Sequence, residues 1–346
     1  MPSQGLHPGF IPPYILHRLI DHGSEWQRSR ALNTLSHVRQ LLPNPGKPGQ
    51  APVVEKAVPG TLQRNVYDAH QLTVLPGALV RVEGQRASGD AAVDEAYDAL
   101  GATHDFFWQV FGRDSIDNRG LPLAGTVHYG EGYDNAFWNG AQMVFGDGDG
   151  EVFQRFTRSL DVVAHELTHG IIESEAGLVY RNQSGALNES ISDVFGVLTR
   201  QYVLKHNAET ADWLIGADLL TDKVKGKGLR SMSHPGTAYD DPVLGKDPQP
   251  AHMRDFIVTQ DDNGGVHLNS GIPNRAFYLA AMALGGSAWE QAGQIWYDTL
   301  CDNKLDNDTD FQGFATLTVE HARERFGATQ AAAVHKAWAG VGVDVT

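Results

Sequence analysis

Two histidines four residues apart stand in the segment DVVAHELTHG, residues 161–170. On a helix, positions i and i+4 lie on one face, so His165 and His169 can contact the same metal ion. Glu166, next to the first histidine, can hold a metal-bound water without being a ligand itself. Two imidazoles with a carboxylate suit zinc. The same HExxH spacing also occurs by chance in helices with exposed histidines, so the interpretation depends on the rest of the chain.

A second helical segment, GALNESISDVFGVL at residues 185–198, carries two carboxylates. Glu189 follows His169 by 20 positions (189 − 169), an interval short enough for two antiparallel helices joined by a loop. Glu189 and Asp193 share a helix face, so Glu189 can be the third ligand while Asp193 accepts the ring N–H of a ligating histidine. A solvated acidic face is the alternative, but the segment is otherwise apolar and small.

A third segment, DDNGGVHLNSG at residues 261–271, places a histidine after a glycine pair and before a predicted helix. His267 can reach into a cleft and stabilise a transition state there, with Asp262 orienting its ring. Alone, this motif is weak evidence, because a histidine in a glycine-rich turn usually lies on the surface.

The elements that must position these segments follow an α+β pattern. From about residue 53 to 150, short segments rich in β-branched residues, glycine and aromatics predict strands and turns. The rest of the chain after residue 150 is mainly helical. The predicted helices span 90–112, 158–175, 186–204, 271–285, 287–301, 310–326 and 328–338.

The first 50 residues form a separate small module. Residues 14–22 and 24–42 predict two amphipathic helices, the second capped by Ser24. A linker rich in proline and glycine follows at residues 43–52. The module carries five basic and two acidic residues, a net +3, whereas the rest of the chain carries −18 (−15 − 3). A basic segment can dock onto an acidic body, although chance variation explains so small a difference equally well.

Composition excludes several classes of protein. The net charge of −15 argues against a nucleic-acid partner. No run of 18 apolar residues exists, so we expect no membrane span, and Cys301, the only cysteine, permits no intrachain disulfide. The N-terminus lacks a basic stretch followed by an unbroken apolar one, so we expect no Sec signal peptide. That predicts a cytoplasmic protein, or one exported by a route without a Sec signal.

From about residue 120 to the C-terminus, the chain resembles the thermolysin-type neutral metallopeptidases. Five motifs carry the resemblance, in family order and spacing. They are VHYGEGYDNAFWNGAQMVFGDGDG (127–150), DVVAHELTHG, AGLVYRNQSGALNESISDVFG (176–196), GLRSMSHP (228–235) and DDNGGVHLNSGI. The resemblance implies a two-domain α+β fold, with a β-rich N-terminal domain at 57–182 that includes the zinc helix. A mostly helical C-terminal domain would span 183–346.

The resemblance also implies the catalytic roles. His165, His169 and Glu189 would bind one zinc ion, and Asp193 would brace His165. Glu166 would be the general base that acts on a zinc-activated water. The implied activity is that of a zinc-dependent endopeptidase, a hydrolase acting on peptide bonds.

Further positions match groups that contact the substrate. His267 and Tyr180 would stabilise the oxyanion, with Asp262 holding His267. The residues that would bind the substrate backbone are Asn135, the carbonyl of Ala136, and Arg230. The residues that resemble the pocket after the scissile bond are all apolar, which predicts cleavage on the N-terminal side of large hydrophobic residues. They are Phe153, Phe156, Val162, Ile215 and Leu229.

One departure from thermolysin concerns its double calcium site. The matching positions are Asp161, Arg200, Asp212, Leu214 and Ala217, which keep only two carboxylates. Because Arg200 puts a fixed positive charge there, we expect this double site to be absent and Arg200 to pair with Asp161 or Asp212. Calcium elsewhere stays possible. The acidic run at 302–310 lacks the pattern of an EF-hand loop, and we expect a polar loop there, with Asp310 capping a helix.

The N-terminal module resembles the short propeptide of protealysin-like peptidases, including the segment IPPYIL at residues 11–16. This implies a zymogen in which residues 1–50, with a linker to about 56, inhibit the same chain and are removed by cleavage within 43–56. We expect a monomer whose partners are its own propeptide and a peptide or protein substrate. An extension without inhibitory role is the alternative for this module. For the whole chain the alternatives are an inactive homologue kept as a scaffold, and a zinc aminopeptidase, against which the segment DNAFWNG speaks.

Overall fold

A helical hairpin opens the part of the chain that the computed structural model describes, residues 9–41 and 58–345. Its helices are α1 (Pro13–His22) and α2 (Glu25–Leu41). Ser24 caps the second helix as predicted, since the Gln27 amide donates to Ser24 Oγ while the Ser24 amide donates to Gln27 Oε1. The predicted linker at 43–52 and the predicted cleavage region at 43–56 lie outside the described residues.

A five-stranded mixed sheet, with strand order β2-β1-β3-β5-β4, forms the N-terminal domain. The strands are β1 (Arg64–Asp68), β2 (Ala78–Val82), β3 (Leu123–Val127), β4 (Ala136–Trp138) and β5 (Met143–Phe145). Helix α3 (Ala91–Phe111) packs against this sheet, and the Asp90 side chain caps it by accepting from two backbone amides. Because β4 pairs only with β5 in the sheet, its other edge faces the functional site.

Two long helices cross the centre of the molecule. They are α4 (Leu160–Ser174) and α5 (Asn182–Leu204), and nearly every side chain of their central turns is buried. Close approach requires a glycine at the contact, since a Cβ on Gly196 would lie 2.6 Å from the Asp161 carbonyl oxygen. Helix α5 begins four residues earlier than predicted. The predicted division between residues 182 and 183 falls on its first turn and stays a prediction.

Five helices follow, packed around Trp296 and Trp338, whose rings stack with centroids 6.1 Å apart. They are α6 (Asp262–Asn269), α7 (Gly271–Leu284), α8 (Ala292–Leu300), α9 (Phe311–Phe326) and α10 (Ala328–Gly340). Asp310 caps α9 as predicted, accepting from the Gly313 amide. Four two-residue strands form two small hairpins: β6 (Leu214–Ile215) pairs with β7 (Arg230–Ser231), and β8 (Asp240–Asp241) pairs with β9 (Gly245–Lys246).

The predicted helix at 287–301 is wrong over its first five residues. The chain there forms a turn, closed by the Glu290 amide donating to the Ser287 carbonyl, and the helix begins only at Ala292. The turn packs Trp289 against Tyr202 of α5, a tertiary contact that outweighs local helical preference. Within the described residues no helix combines the length and apolarity that a membrane crossing needs.

Candidate metal and active site

Three buried side chains from α4 and α5 bring their ligand atoms to one point. The Nε2 atoms of His165 and His169 lie 3.1 Å apart, and each lies 3.5 Å from a carboxylate oxygen of Glu189. In a tetrahedral zinc site with bonds of about 2.0–2.1 Å, ligand atoms stand about 3.3 Å apart. The donor set and its spacing therefore fit a single zinc ion. Glu166 belongs to the same cluster, with one ligand atom each from His165, Glu166 and His169 within 4.8 Å of one another.

Side chains of α5 orient both histidines from behind. His165 Nδ1 lies 2.8 Å from Asp193 Oδ1, the bracing contact predicted from the sequence. His169 Nδ1 lies 2.8 Å from Asn188 Oδ1 and 3.0 Å from Ser192 Oγ, two residues that the sequence analysis missed. Their i, i+4 spacing, parallel to that of Glu189 and Asp193, was the available signal. Such contacts hold the Nε2 atoms towards the metal position.

Glu166 lies fully buried beside the edge strand β4. Its Oε2 accepts a hydrogen bond from the Trp138 amide at 3.0 Å, while Oε1 has no hydrogen-bond partner among the described residues. Burial raises the pKa of Glu166 to about 7, opposed by His165 and reinforced by Glu189. The Trp138 amide thus positions Glu166 Oε2, whereas Glu166 Oε1 is available to accept a proton.

Two further groups approach the site from outside the helix pair. The Tyr180 hydroxyl donates to Glu189 Oε1 and lies 3.3 Å from His267 Nε2. His267 Nδ1 lies 2.7 Å from Asp262 Oδ1, and the His267 amide donates to Asp262 Oδ2. Although burial lowers the pKa of His267, the Asp262 and Glu189 carboxylates raise it overall. The predicted orientation of His267 by Asp262 is therefore present in the structure.

The glycine pair before His267 has a structural reason. Residues 262–265 all have positive φ, and the chain reverses there before the helix continues. A Cβ on Gly264 would lie 2.2 Å from Asn182 Oδ1, so the turn fits against α5 only without a side chain.

Arg230 and Asp193 form a buried ion pair behind the metal site. Arg230 Nε and Nη2 donate to the two Asp193 oxygens at 2.9 and 2.7 Å, and Asn274 Nδ2 adds a third hydrogen bond at 2.9 Å. Burial raises the pKa of Asp193, but Arg230 and then His165 outweigh it, so the net shift is downward. Arg230 Nη1 makes no hydrogen bond within residues 9–41 and 58–345, which leaves one buried guanidinium donor unused there.

Residues 9–11 lie along the edge of the sheet beside this site. The Phe10 amide donates to the Ala136 carbonyl at 2.9 Å, and the Ile11 amide donates to Asn135 Oδ1 at 2.8 Å. Asn135 Nδ2 donates in return to the Ile11 carbonyl at 3.3 Å. One main-chain bond and two bonds through the Asn135 side chain thus hold this segment at the free edge of β4. The predicted backbone-binding residues Asn135 and Ala136 are engaged by the chain's own N-terminal segment.

The Phe10 side chain fills an apolar pocket. Its ring is fully buried, meets the His165 ring edge-on at 5.1 Å between centroids, and lies 4.6 Å from the guanidinium carbon of Arg230. A Cβ on Gly216 would stand 3.4 Å from Phe10 Cε1 and 3.3 Å from Leu229 Cδ1, so the bare glycine makes room for the ring. All five predicted pocket residues lie in the same buried core as Phe10. They are Phe153, Phe156, Val162, Ile215 and Leu229.

Helix α2 contacts a second part of the sheet edge. Arg30 Nε and Nη2 donate to Asp134 Oδ2 and Oδ1 at 2.9 and 2.5 Å, and Nη2 also donates to the Gly148 carbonyl at 2.9 Å. The Asp134 amide donates to Thr34 Oγ1 at 2.9 Å. Burial raises the pKa of Asp134 to about 6 against the opposing effect of Arg30. The sequence predicted only that opposite net charges favour docking and identified none of these residues.

We call the surface formed by residues 134–136 and Gly148 the hairpin groove, because Phe10, Ile11, Arg30 and Thr34 of the N-terminal module contact it. It holds Phe10 and Ile11 at one end and Arg30 at the other. The groove and the metal site meet at Phe10, whose ring contacts His165.

The positions that match thermolysin's calcium ligands hold an ion pair. Arg200 Nη1 lies 2.8 Å from Asp212 Oδ2, and Arg200 Nε lies 3.6 Å from Asp218 Oδ2. Asp161 is buried, accepts from the Gly216 amide and the Ser159 hydroxyl, and interacts with Arg200 electrostatically without forming an ion pair by the distance between their charged atoms. Of the two predicted partners of Arg200, the structure therefore pairs it with Asp212. The absence of the double calcium site stays a prediction.

A buried HExxH helix facing a glutamate on a second helix defines the metal site of a metallopeptidase. Comparison with known proteins agrees. The family "Thermolysin metallopeptidase, catalytic domain" matches residues 60–173, "Thermolysin metallopeptidase, alpha-helical domain" matches 176–343, and "Protealysin propeptide" matches 8–50. The chain belongs to the thermolysin family of metallopeptidases, in the protealysin-like group that carries a short propeptide.

Individual relatives cover nearly the whole chain. An extracellular metalloprotease of Pectobacterium carotovorum subsp. carotovorum is 62% identical over 97% of this chain and 96% of its own length. Protease PrtS of Photorhabdus sp. (strain Az29) is 52% identical over 98% of this chain and 93% of its own length. The solved structure of the precursor of protealysin, a metalloproteinase from Serratia proteamaculans, is 61% identical with a TM-score of 0.91, covering 97% of this chain and 99% of that one. The α+β two-domain prediction is confirmed, and the protein is a metalloprotease with a propeptide.

Proposed function

We propose that this protein is a zinc-dependent endopeptidase made as an autoinhibited proenzyme, and that it cleaves on the N-terminal side of large hydrophobic residues. One observation carries the proposal. Phe10 is buried in an apolar pocket against His165, while its backbone is hydrogen-bonded to Ala136 as a substrate strand would be. This segment supports both the predicted preference for large hydrophobic residues and the predicted autoinhibition, because it occupies the position where a substrate would bind.

His165, His169 and Glu189 would hold the zinc ion. Bound there, zinc supplies a Lewis acid that lowers the pKa of water and polarises the scissile carbonyl. Glu166 Oε1, without a protein partner in the described residues, accepts the proton of the attacking water. The same carboxylic acid then returns the proton to the leaving amine.

The remaining side chains act on charge and position. His267 and Tyr180, 3.3 Å apart, donate to the oxygen on which negative charge develops in the transition state. Asp262 keeps the His267 ring oriented and its proton on the ring. Arg230 Nη1 is the buried donor available to the carbonyl that follows the scissile bond. Asn135 and the Ala136 carbonyl align the backbone, as they do with residues 10 and 11.

The proenzyme proposal follows from the same contacts. Residues 9–11 cover the backbone-binding atoms and the apolar pocket together, so no substrate can bind until they leave. Release requires a cut in the linker within 43–56 and dissociation of the hairpin from the groove.

The test compares the zinc-loaded full chain before and after processing. Quenched peptides with a single phenylalanine report the rate, and mass spectrometry locates both the new N-terminus of the protein and the bond cut in the peptide. We expect activity to rise as residues 1–50 are lost, cleavage directly before phenylalanine, and loss of activity with a zinc chelator. Equal activity of the uncut chain would reject autoinhibition. Inactivity of the processed, zinc-loaded chain would favour a scaffold, and release of only N-terminal residues would favour an aminopeptidase.

A further inference from the structure

The Asp134 carboxylate and the Gly148 carbonyl form a binding site for a guanidinium group in the hairpin groove. Arg30 donates to both of its carboxylate oxygens and at the same time to the Gly148 carbonyl. Two parallel N–H···O bonds to one carboxylate match the planar fork of arginine and not the single ammonium of lysine. The occupant belongs to the segment that leaves on activation, so the site itself remains in the processed enzyme.

The register of the bound segment shows where this site lies along a substrate. The Phe10 amide donates to the Ala136 carbonyl and the Ile11 amide donates to the Asn135 side chain, so the bound segment passes from Ala136 towards Asn135, opposite to the direction of β4. The next residue of an extended peptide would therefore pass beside the residue before Asn135, which is Asp134. Counted from the bond before Phe10, that position is the third after the scissile bond, and the position of Ile11, which contacts the neighbouring Asn135, is the second.

The proenzyme itself reaches Asp134 by another route. Its chain leaves the groove at Pro12, because α1 begins at Pro13, and Arg30 then returns from α2. A substrate has no such helix and can continue along the edge. Its carbonyl can accept from the Asp134 amide, which donates to Thr34 Oγ1 while the hairpin is docked.

The surroundings of Asp134 favour a cation. The carboxylates of Asp147 and Asp149 act on the same guanidinium electrostatically. Gly132 presents a bare backbone along the Arg30 side chain, where a Cβ would already stand 3.4 Å from Nη1. When α2 departs, the Asp134 carboxylate loses its only described cationic partner while the neighbouring acidic groups remain.

We propose that in the processed enzyme Asp134 is a specificity-determining residue, whose carboxylate binds an arginine side chain two or three residues after the scissile bond. The hairpin's Arg30 holds that position in the proenzyme. This inference rests on the proposed endopeptidase function, since it names a subsite of the same cleft.

The test uses the full chain, folded with zinc and then processed, with quenched peptides that differ at one position. Each peptide contains one phenylalanine, and its second or third residue after the cleaved bond is arginine, lysine, glutamine or glutamate. We expect kcat/KM for the arginine peptide to exceed that for glutamine by about tenfold at one of the two positions. Lysine should gain less than arginine, and glutamate should be worst.

Asp134→Asn should reduce the arginine advantage to within about twofold while leaving the glutamine peptide nearly unchanged. Glu131→Gln is the matched control, because it removes one exposed negative charge from the same loop and should keep the advantage. If Asp134→Asn does not fold, Asp134→Ser gives the same comparison. Equal rates for arginine and glutamine in the wild type, or an advantage that survives at full size in the folded Asp134 variants, would overturn the inference. Cleavage of the glutamine peptide separates these outcomes from failure of the proposed function, in which no peptide is cut.

Discussion

The metal site and the hairpin groove share Phe10 but differ in how far apart their residues stand in the chain. The metal site draws its ligands and the groups behind them from residues 165–193, on two consecutive helices. The groove joins Ile11 to Asn135 and Arg30 to Asp134, pairs separated by 124 and 104 residues. The metal site lies within the buried helix pair, whereas the proposed proenzyme function requires the groove to bind a segment and later release it. A permanent site tolerates dense buried polarity, while a releasable one concentrates its binding on one aromatic ring and one ion pair.

The largest effect should come from the metal site. We expect Glu166→Gln to lower kcat/KM of the processed enzyme by about 10³-fold, because the amide cannot accept the proton of the attacking water. Zinc content, measured on the same sample, should not change, since Glu166 is not among the proposed ligands. Glu173→Gln, an exposed position on the same helix, is the control and should keep full activity. A Glu166 variant with more than a tenth of wild-type activity would contradict the assignment of the base.

The second-largest effect should come from Phe10, whose ring contacts the metal site and whose backbone lies in the hairpin groove. Truncation of a fully buried phenylalanine costs about 3–5 kcal/mol, so Phe10→Ala should weaken hairpin docking by a factor between about 10² and 4 × 10³. The measurement is the initial activity of the uncut full chain, which should rise by a large factor. Leu32→Ala truncates an apolar side chain of α2 that is half exposed, and should leave the chain latent. Unchanged latency in Phe10→Ala would show that the groove holds the hairpin without this ring.

At the far end of the groove the effect should be smaller. Arg30→Gln removes a charge-assisted pair that contributes about 1.5–3 kcal/mol, so hairpin opening should become roughly 10- to 100-fold more frequent. Hydrogen exchange of the Ile11 amide reports this opening directly, since that amide is protected only while docked. Arg28→Gln removes the same charge from α2, but Arg28 donates to the Ile20 carbonyl within the hairpin. We expect the Ile11 amide to exchange more slowly in Arg28→Gln than in Arg30→Gln. The reverse order would show that the Arg30–Asp134 pair does not hold the hairpin in the groove.

The smallest effect should come from His128, which contacts Asp147, the residue before Gly148 of the hairpin groove. His128 lies 2.8 Å from Asp147 and 3.2 Å from Asp90, and Asp147, opposed by burial and helped by Asp90, raises its pKa to about 9. A raised histidine pKa stabilises the fold fully below about pH 6.5, and the contribution disappears as the pH rises through about 9.

Allowing for partial solvent exposure, His128→Gln should lower the free energy of unfolding by about 1–2 kcal/mol at pH 6 and by little above pH 9. Denaturant titrations at the two pH values measure the difference. His70→Gln, at an exposed histidine beside Asp68, is the control for the loss of an imidazole and should leave the free energy of unfolding nearly unchanged. A His128→Gln penalty that is equal at both pH values would mean that packing, and not charge, accounts for it.

Prediction from the sequence succeeded where spacing along one element determines spacing in the fold. The i, i+4 pairs His165/His169 and Glu189/Asp193 lie where a helix must put them, so the metal cluster and its bracing contact were predictable. Asn188 and Ser192 have the same i, i+4 spacing but were overlooked, because amide and hydroxyl side chains are not typical zinc ligands. The helix at 287–301 failed for a different reason, since the contact of Trp289 with Tyr202 lies outside any local pattern.

By itself, the sequence determined the class of the protein and the presence of an N-terminal module of opposite charge, and it predicted which side chains would meet at a metal site. Those features depend on residue types at short intervals, which helix geometry converts directly into distances. Only the tertiary structure decided that Phe10 lies against His165, that Arg30 pairs with Asp134, and that Arg200 pairs with Asp212 and not with Asp161. Each of those contacts depends on how separate elements pack, and packing is set by the whole core and not by the intervals between its residues.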